Sequence, residues 1–263
     1  MSLMAATGGP LAAPERLPLL PSRTVEGFGP TLVIAPHQDD ESLGCGGAIA
    51  LLRGAGLSVA VLFVSDGTGS HPRSRTHPPA RLRATREAEA LEALRLLGVA
   101  PDAATFLRLP DTAVPRRDDP RCDVARFDAA AARVRDSLAA TTPATILLPW
   151  RRDPHGDHRA SWQLLDAVLA DYPTRPRLLE YPIWVWELAA AGDLPRQDEV
   201  VGWRLDIAGV LPLKLAAIAA HRSQLTDLIA DDPDGFRLLP PVLAHFSRPW
   251  EIFLDSPARA TTM

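Results

Sequence analysis

Two short clusters of histidine and aspartate carry the residue types that bind metal ions in enzymes. The first is the run Pro36-His37-Gln38-Asp39-Asp40-Glu41. His37 and Asp40 are three residues apart, which in a tight turn can direct an imidazole and a carboxylate to one point. Such a nitrogen and oxygen pair suits zinc and other first-row divalent metals. Asp39 lies between them and could stay off the metal and face its bound water.

The second cluster is the run Asp153-Pro154-His155-Gly156-Asp157-His158. His155 and His158 repeat the three-residue spacing at the start of a predicted helix. A single histidine is more often a surface or hydrogen-bonded residue than a ligand, so the hypothesis depends on the pairing of the two clusters. Together they predict two histidines and one carboxylate around a metal with an open position, which is typical of catalytic zinc. Asp153 or Asp157 could orient a histidine from behind.

Each cluster directly follows a predicted strand. Residues 31–35 and 144–149 are aliphatic and β-branched runs of the kind found in buried strands. Further strands are predicted at 58–64 and 105–109, and helices at 42–53, 80–97, 124–140 and 157–170. This alternation predicts a Rossmann-like, three-layer α/β/α fold with a mostly parallel sheet. Ligands of such sheets bind at the carboxyl ends of the strands, where both clusters should lie.

The last third of the chain has a less regular pattern. We predict strands at 178–187, 200–207 and 251–254, and a helix at 211–228. No internal repeat or linker divides the chain. We therefore expect an N-terminal extension over residues 1–30, without the features of a signal peptide, and a single domain over residues 31–263.

Charge, hydropathy and cysteine content exclude several functional classes. The net charge is −4 and no basic stripe is present, which argues against a nucleic-acid partner. No apolar stretch approaches the roughly 20 residues that span a bilayer. The only cysteines are Cys45 and Cys122, which favours a reducing, cytoplasmic location over a secreted disulfide scaffold. We interpret Cys45 as a core residue, with a reactive or metal-bound thiolate as the alternative.

Other features have a functional and a structural interpretation. Gly44-Cys45-Gly46-Gly47 lacks the order of a dinucleotide-binding loop and favours close packing of a helix on the sheet or space beside the metal. The Gly-rich loop 66–79 is predicted to be a flexible rim that contributes to selectivity. An aromatic group could do the same or pack in the core: Tyr181, Trp184 and Trp186. Isolated histidines are interpreted as structural or rim residues: His71, His77, His221 and His245.

The two clusters together resemble a known family. APHQDDESLGCGG is similar to the (A/P)-H-P-D-D-E signature of PIG-L/LmbE-like zinc deacetylases, and DPHGDHRA is similar to their H-P-D-H-x-A motif. Weaker similarities occur at 65–67, 86–99, 109–111 and 214–224, so the resemblance covers residues 31–224. Gln38 and Gly156 replace the usual prolines of the two motifs, which could loosen the loops or mark a subgroup with another acyl-amide substrate.

The resemblance implies a metal-dependent hydrolase that removes an acetyl or acyl group from a small N-acetylated, amino-sugar-type substrate. It implies zinc ligation by His37, Asp40 and His158. Asp39 would be the general base, and His155 would steady the oxyanion or act as an acid. Substrate contacts would come from Arg86 and Asp111. The oligomeric state stays open.

Two alternatives to this function stay open. One is an amidase that cleaves a non-sugar or conjugate amide by the same zinc-water mechanism. The other is a non-catalytic sugar-binding module on the same fold. The presence of Asp39 and His155 argues against the second alternative, because binding alone needs no base beside the metal.

Overall fold

Eight strands form one sheet in the computed structural model, which describes residues 9–255 and residue 257. They are β1 (Leu19–Leu20), β2 (Thr31–Ala35), β3 (Val59–Ser65), β4 (Ala104–Leu109), β5 (Thr145–Pro149), β6 (Arg177–Tyr181), β7 (Val201–Asp206) and β8 (Trp250–Asp255). Their order across the sheet is β1-β7-β8-β6-β5-β2-β3-β4. β8 is antiparallel to both of its neighbours, and the other described pairs are parallel. The predicted mostly parallel sheet is confirmed.

Helices cover both faces of this sheet. They are α1 (Asp40–Gly54), α2 (Pro79–Leu96), α3 (Val124–Thr141), α4 (Gly156–Leu169), α5 (Leu211–Ala220), α6 (Arg222–Leu225) and α7 (Pro240–Phe246). α5 contacts both α1 and α2 on one face, and α3 contacts α4 on the other. Alternate residues of the central strand β2 therefore enter two separate apolar clusters, Val33 facing the α1 layer and Leu32 facing the α4 layer. None of the described helices is long and apolar enough to cross a membrane.

The sheet order places the two predicted clusters side by side. β2 lies between β3 and β5, and all three strands run in the same direction. The chain continues from β2 into α1 on one face and from β5 into α4 on the other. A crevice therefore opens beyond the carboxyl ends of β2 and β5, which is where such sheets bind ligands.

α1 packs against the sheet through glycines that leave no room for a side chain. A Cβ atom on Gly44 would lie 2.2 Å from Cδ2 of Tyr181, and one on Gly47 would lie 2.7 Å from Cδ1 of Ile207. The glycine-rich stretch thus lets the helix closely approach β6 and the residue that follows β7. This agrees with the packing interpretation made from the sequence.

α1 is interrupted at Cys45, whose φ of −146° is not helical. The interruption frees two backbone amides, and the carboxylate of Glu251 accepts from Gly47 at 2.7 Å and from Ala48 at 2.8 Å. Lys214 donates to the same carboxylate at 2.7 Å. Cys45 itself is buried, and burial raises the pKa of its thiol well above the usual value, which supports a core role.

Two predicted elements were wrong in extent. The strand predicted at 178–187 ends at Tyr181, because Pro182 follows it and Trp184–Trp186 form a 3-10 turn instead. The helix predicted at 211–228 breaks at His221, where ψ is 57°. Its apolar periodicity continues past this point, but His221 turns inward to a buried carboxylate.

Two short elements, β1 and α7, were not predicted from the sequence. β1 lies inside the predicted N-terminal extension and pairs in parallel with β7. Leu11, Val25 and Phe28 of the same segment are buried. Residues 9–30 thus pack onto the domain, while residues 1–8 of the extension lie outside the described residues.

Candidate active site and metal centre

The loops after β2 and β5 bring three predicted metal ligands together. Oδ2 of Asp40 lies 3.2 Å from Nδ1 of His37 and 3.2 Å from Nε2 of His158. The backbone amide of His37 also donates to this oxygen at 2.9 Å, which fixes the turn. Ligand atoms of a tetrahedral zinc, with bonds of about 2.0–2.2 Å, are separated by about 3.3 Å. Oδ2 of Asp40 thus lies at the spacing of two metal ligands from a ring nitrogen of each histidine.

His158 is fully buried, yet neither of its ring nitrogens makes a well-aligned hydrogen bond within the described chain. Its Nδ1 lies 3.3 Å from Oδ1 of Asp153, and its Nε2 faces Asp40. A carboxylate behind the far nitrogen is the usual partner of a metal-binding histidine. A buried imidazole with this surrounding fits a metal ligand better than a packing residue.

The far nitrogen of His37 also faces carboxylates. Its Nε2 lies 3.2 Å from Oδ1 of Asp111 and 3.2 Å from Oδ2 of Asp157. Both carboxylates are already held by backbone amides, Asp111 by Gly69 and Asp157 by Thr112, each at 2.7 Å. The structure thus places Asp111, a predicted substrate contact, against His37 at the wall of the cavity.

Donor atoms also gather in two overlapping groups that share His37. One adds His155 and His158, and the other adds Asp111 and Asp157, with all donor atoms of a group within 4.8 Å of one another. The site therefore contains more potential ligands than the sequence predicted. Asp40 belongs to neither group, although its Oδ2 lies 3.2 Å from a ring nitrogen of both His37 and His158.

The carboxylates make the site strongly attractive to positive charge. Burial lowers the pKa of His158, but Asp40 and Asp153 outweigh it and raise this pKa to about 9. Burial raises the pKa of Asp40, and the two histidines beside it reverse this and hold the pKa well below its usual range. The same field that retains protons on these imidazoles favours a divalent cation in their place, with release of the protons.

Asp39 lies beside these predicted ligands in an unusual backbone conformation, with φ of 154°. Its carboxylate is 3.3 Å from Nη2 of Arg86, which also donates to the carbonyl of Gln38 at 2.9 Å. Burial raises the pKa of Asp39 to about 6, and Arg86 opposes this rise. A carboxyl group that titrates near neutral pH suits proton transfer. Arg86 is itself almost fully buried, and it pairs with Asp39 at the wall of the cavity.

His155 presents one ring nitrogen to the cavity. Its Nδ1 accepts from the backbone amide of Asp157 at 3.2 Å, so the proton of the neutral ring is on Nε2. Burial, with smaller contributions from His158 and His37, lowers the pKa of His155 to about 4. Its ring packs edge-on to His37 with the centroids 4.7 Å apart. His155 is therefore a neutral hydrogen-bond donor at neutral pH.

A cavity of about 290 Å³ opens above these groups. Its polar wall contains the predicted residues His37, Asp39, Asp40, Arg86, Asp111 and His155. Its other wall is apolar and consists of Leu43, Trp184, Leu188, Phe236 and Leu238. Leu188, Phe236 and Leu238 were not predicted, because they follow no motif and come from irregular segments.

The three aromatic residues considered for selectivity have different positions. Trp184 lines the cavity, where its ring meets Phe236 edge-on at 5.7 Å, and its amide donates to Asp153 at 2.9 Å. Tyr181 is buried and donates to the carbonyl of Ile34 at 2.7 Å. Trp186 stacks on His245. Only Trp184 of these three reaches the cavity in the described structure.

The loop 66–79, predicted to be a flexible rim, is fastened to the segment 227–239. The carboxylate of Asp231 accepts from the side chains of Ser74 at 2.8 Å and Thr76 at 2.7 Å. The carboxylate of Asp232 accepts from the amide of Arg73 at 2.9 Å. The rim of the cavity is thus built from two segments that hold each other in place.

Comparisons with known proteins agree with this fold and site. The family model described as PIG-L, GlcNAc-PI de-N-acetylase, matches residues 32–169, which is more than half of the chain. The diacetylchitobiose deacetylase of Thermococcus kodakarensis is 28% identical over 214 residues, which cover 74% of this chain and 70% of that protein.

Solved structures share the architecture. The N,N'-diacetylchitobiose deacetylase from Pyrococcus horikoshii superposes with a TM-score of 0.66 at 23% identity, covering 89% of this chain and 86% of that chain. The conserved protein TT1542 from Thermus thermophilus gives a TM-score of 0.60 at 25% identity, covering 88% and 95%. The predicted fold, the predicted resemblance and the prediction of an amide-cleaving hydrolase are confirmed. The chain belongs to the PIG-L family of GlcNAc-PI de-N-acetylases.

Proposed function

We propose that this protein is a zinc-dependent deacetylase that hydrolyses the N-acetyl amide of an amino-sugar substrate. His37, Asp40 and His158 would hold the metal. The observation that carries the proposal is the position of Asp40, whose Oδ2 lies 3.2 Å from a nitrogen of each imidazole. Two imidazoles and a carboxylate are a donor set that suits zinc, and other first-row divalent metals could replace it.

The protein residues around this centre match the needs of amide hydrolysis. A divalent cation here would supply a Lewis acid that polarises the amide carbonyl and makes a nearby water molecule more acidic. Asp39 borders the cavity and is close to its titration point near neutral pH. It would accept the proton from the attacking water and pass it to the nitrogen of the leaving amine.

His155 would stabilise the negative charge that develops on the amide oxygen. Its Nδ1 is engaged by the amide of Asp157, which directs the remaining N–H, on Nε2, to a substrate atom. A donor that is already in place contributes roughly 3 kcal/mol to such a transition state. Because burial lowers the pKa of His155 to about 4, we favour its role as a neutral donor over the role of an acid.

The family and the relatives support an amino-sugar substrate. The curated relative is a diacetylchitobiose deacetylase, whose substrate carries N-acetyl groups on a sugar. Hydroxyl groups of a sugar would find donors and acceptors on the polar wall, for example at Ser70, Asp111 and Gln224. Trp184 offers an aromatic face or edge for the apolar side of the ring.

A direct assay tests the proposal. Zinc-loaded protein is incubated with N-acetylglucosamine, diacetylchitobiose and N-acetylglucosaminides, and both acetate and free amine are measured. Equal amounts of the two products support a deacetylase. If none of these substrates yields acetate and free amine, the proposal that the protein deacetylates amino sugars is overturned.

A second candidate function is hydrolysis of amides that carry a larger apolar group. The observation in its favour is the apolar wall, on which Leu188 and Phe236 are exposed to solvent. A sugar and a two-carbon acetyl group have little need for such a surface. An N-acyl chain series from two to eight carbons separates the candidates, since rates rising with chain length favour the second and falling rates favour the first.

A further inference from the structure

Asp39 has a backbone conformation that its own residue type does not favour. Its φ of 154° is combined with ψ of −26°, a region that residues with a side chain rarely adopt. Such a conformation is strained and persists only where the surroundings hold it. The contacts that hold Asp39 therefore influence where its carboxylate lies.

The side chain of Glu41 holds the backbone of Asp39. The amide of Asp39 donates to Oε2 of Glu41 at 3.1 Å and lies 3.2 Å from the carbonyl oxygen of His37. Arg86 fixes the other end of the residue, the carboxylate. The carbonyl oxygen of Asp39 also accepts from the amides of Ser42 at 3.1 Å and Leu43 at 2.9 Å. Glu41 is thus the side chain that holds the amide of Asp39, and Arg86 is the side chain that holds its carboxylate.

Glu41 is in turn fixed by His221. Its Oε1 accepts from the hydroxyl of Ser42 at 2.6 Å and lies 3.1 Å from Nε2 of His221. Glu41 has no exposed surface, and His221 is 1% exposed. A buried carboxylate without such partners would be strongly unfavourable, so His221, together with the hydroxyl of Ser42, stabilises Glu41 in its buried position beside Asp39.

The position of His221 depends on the break between α5 and α6. Directly after it, Ser223 donates to Glu89 of α2 through its amide at 2.8 Å and its hydroxyl at 2.6 Å. The break turns the imidazole of His221 towards Glu41. Neither Glu41 nor His221 borders the cavity, so neither contacts a substrate there.

We propose that Glu41 and His221 are a pair of positioning residues for the general base, acting on the reaction only through Asp39. This inference rests on the proposed function of Asp39. Misplacement of a reacting group by about 1 Å can cost on the order of 100-fold in rate. Loss of either residue should therefore lower kcat while KM and the bound metal stay as they are.

The test is a double-mutant cycle in the metal-loaded enzyme. In the wild-type background, Glu41→Ala and His221→Ala should each lower kcat about 10- to 100-fold, with KM changed less than about twofold. In an Asp39→Asn background the same substitutions should change kcat by less than about twofold, because residues that act through one group are not additive. Full losses in both backgrounds would overturn the proposal, as would loss of the metal.

Conservative variants separate positioning from general destabilisation. Glu41→Gln keeps an oxygen that can accept from the amide of Asp39, and His221→Gln keeps a side-chain N–H donor, so each should recover most of the lost kcat. Glu180→Ala is the matched control, because Glu180 is equally buried, is paired with Arg151, and does not border the cavity. It should lower the melting temperature and leave kcat unchanged.

The outcome for the proposed function is separate from this one. If the wild-type enzyme is inactive, the proposed function is wrong, and the positioning role of Glu41 and His221 has no reaction on which it could act. An active enzyme in which Glu41→Ala and Glu41→Gln lose kcat equally, at equal stability, would reject the positioning role alone.

Discussion

Oδ2 of Asp40 lies 3.2 Å from Nε2 of His158, although the two residues follow different strands of the sheet. The contact forms because β2 and β5 are parallel neighbours, so the loops at their carboxyl ends meet. On the other side of the ring, the carboxylate of Asp153 lies 3.3 Å from Nδ1 of His158. The imidazole of His158 is thus placed between the carboxylates of Asp153 and Asp40. The site is thus a consequence of strand order as much as of the residues themselves.

Asp39 is expected to act on protons and not on the metal. Asp39→Asn should keep the metal bound and lower kcat about 100- to 10,000-fold, because the amide cannot accept a proton. Metal analysis and turnover on the same protein sample check this. A variant without metal would show that the roles of Asp39 and Asp40 had been exchanged.

The acid side of the pH profile should depend on Arg86. Burial raises the pKa of Asp39 to about 6, and the Arg86 guanidinium lowers it, so the ionised base is lost as pH falls through about 6. Arg86→Gln removes the lowering charge and should move the acid limb of kcat/KM to higher pH.

Arg108→Gln is the control for this shift, since Arg108 pairs with Glu87 on the exposed surface. It should leave the acid limb where it is. An acid limb that moves to lower pH in Arg86→Gln would contradict the assignment of Asp39 as the base.

His155 is expected to affect turnover more than binding. His155→Ala removes the N–H donor to the developing oxyanion and should lower kcat about 100- to 1,000-fold with the metal retained. Since burial and neighbouring histidines lower its pKa to about 4, the basic limb of the profile should not belong to His155. Steady-state kinetics at several pH values measure both effects, and an unchanged kcat in His155→Ala would exclude the role.

Close packing of α1 on the sheet should make Gly44 sensitive to substitution. A Cβ atom there would lie 2.2 Å from the ring of Tyr181, so Gly44→Ala should destabilise the protein by about 1–3 kcal/mol. Gly54, in the same helix, has no atom within 4 Å of an added Cβ. Gly54→Ala should therefore be neutral or stabilising in thermal unfolding, and equal effects of the two variants would argue against the packing explanation.

Much of this fold follows from local sequence pattern. The strands β2 and β5 are continuous apolar runs because helices cover both of their faces, and the polar clusters begin where those runs end. Residue type and spacing then place His37 and His158 at one sheet edge. Here the local sequence pattern agrees with the tertiary structure, so these strands and the sheet edge that carries the site could be predicted from the sequence alone.

The parts that could not be predicted depend on long-range contacts. The helical periodicity after residue 211 does not reveal that His221 turns inward to Glu41, since that partner is 180 positions away in the chain. The apolar wall at Phe236 and Leu238 likewise depends on how the segment 227–239 is fastened to the loop 66–79. The strand predicted beyond Tyr181 was wrong because Pro182 and the following tryptophans pack in a 3-10 turn.

The metal content of the purified protein tests the central claim most directly. Elemental analysis of the wild type and of His158→Ala should find about one divalent metal per chain in the wild type and almost none in the variant. Removal of the metal with a chelator should abolish hydrolysis, and added zinc or another first-row metal should restore it. A wild-type protein that binds no divalent metal, or a His158→Ala variant that binds it as tightly, would contradict the account.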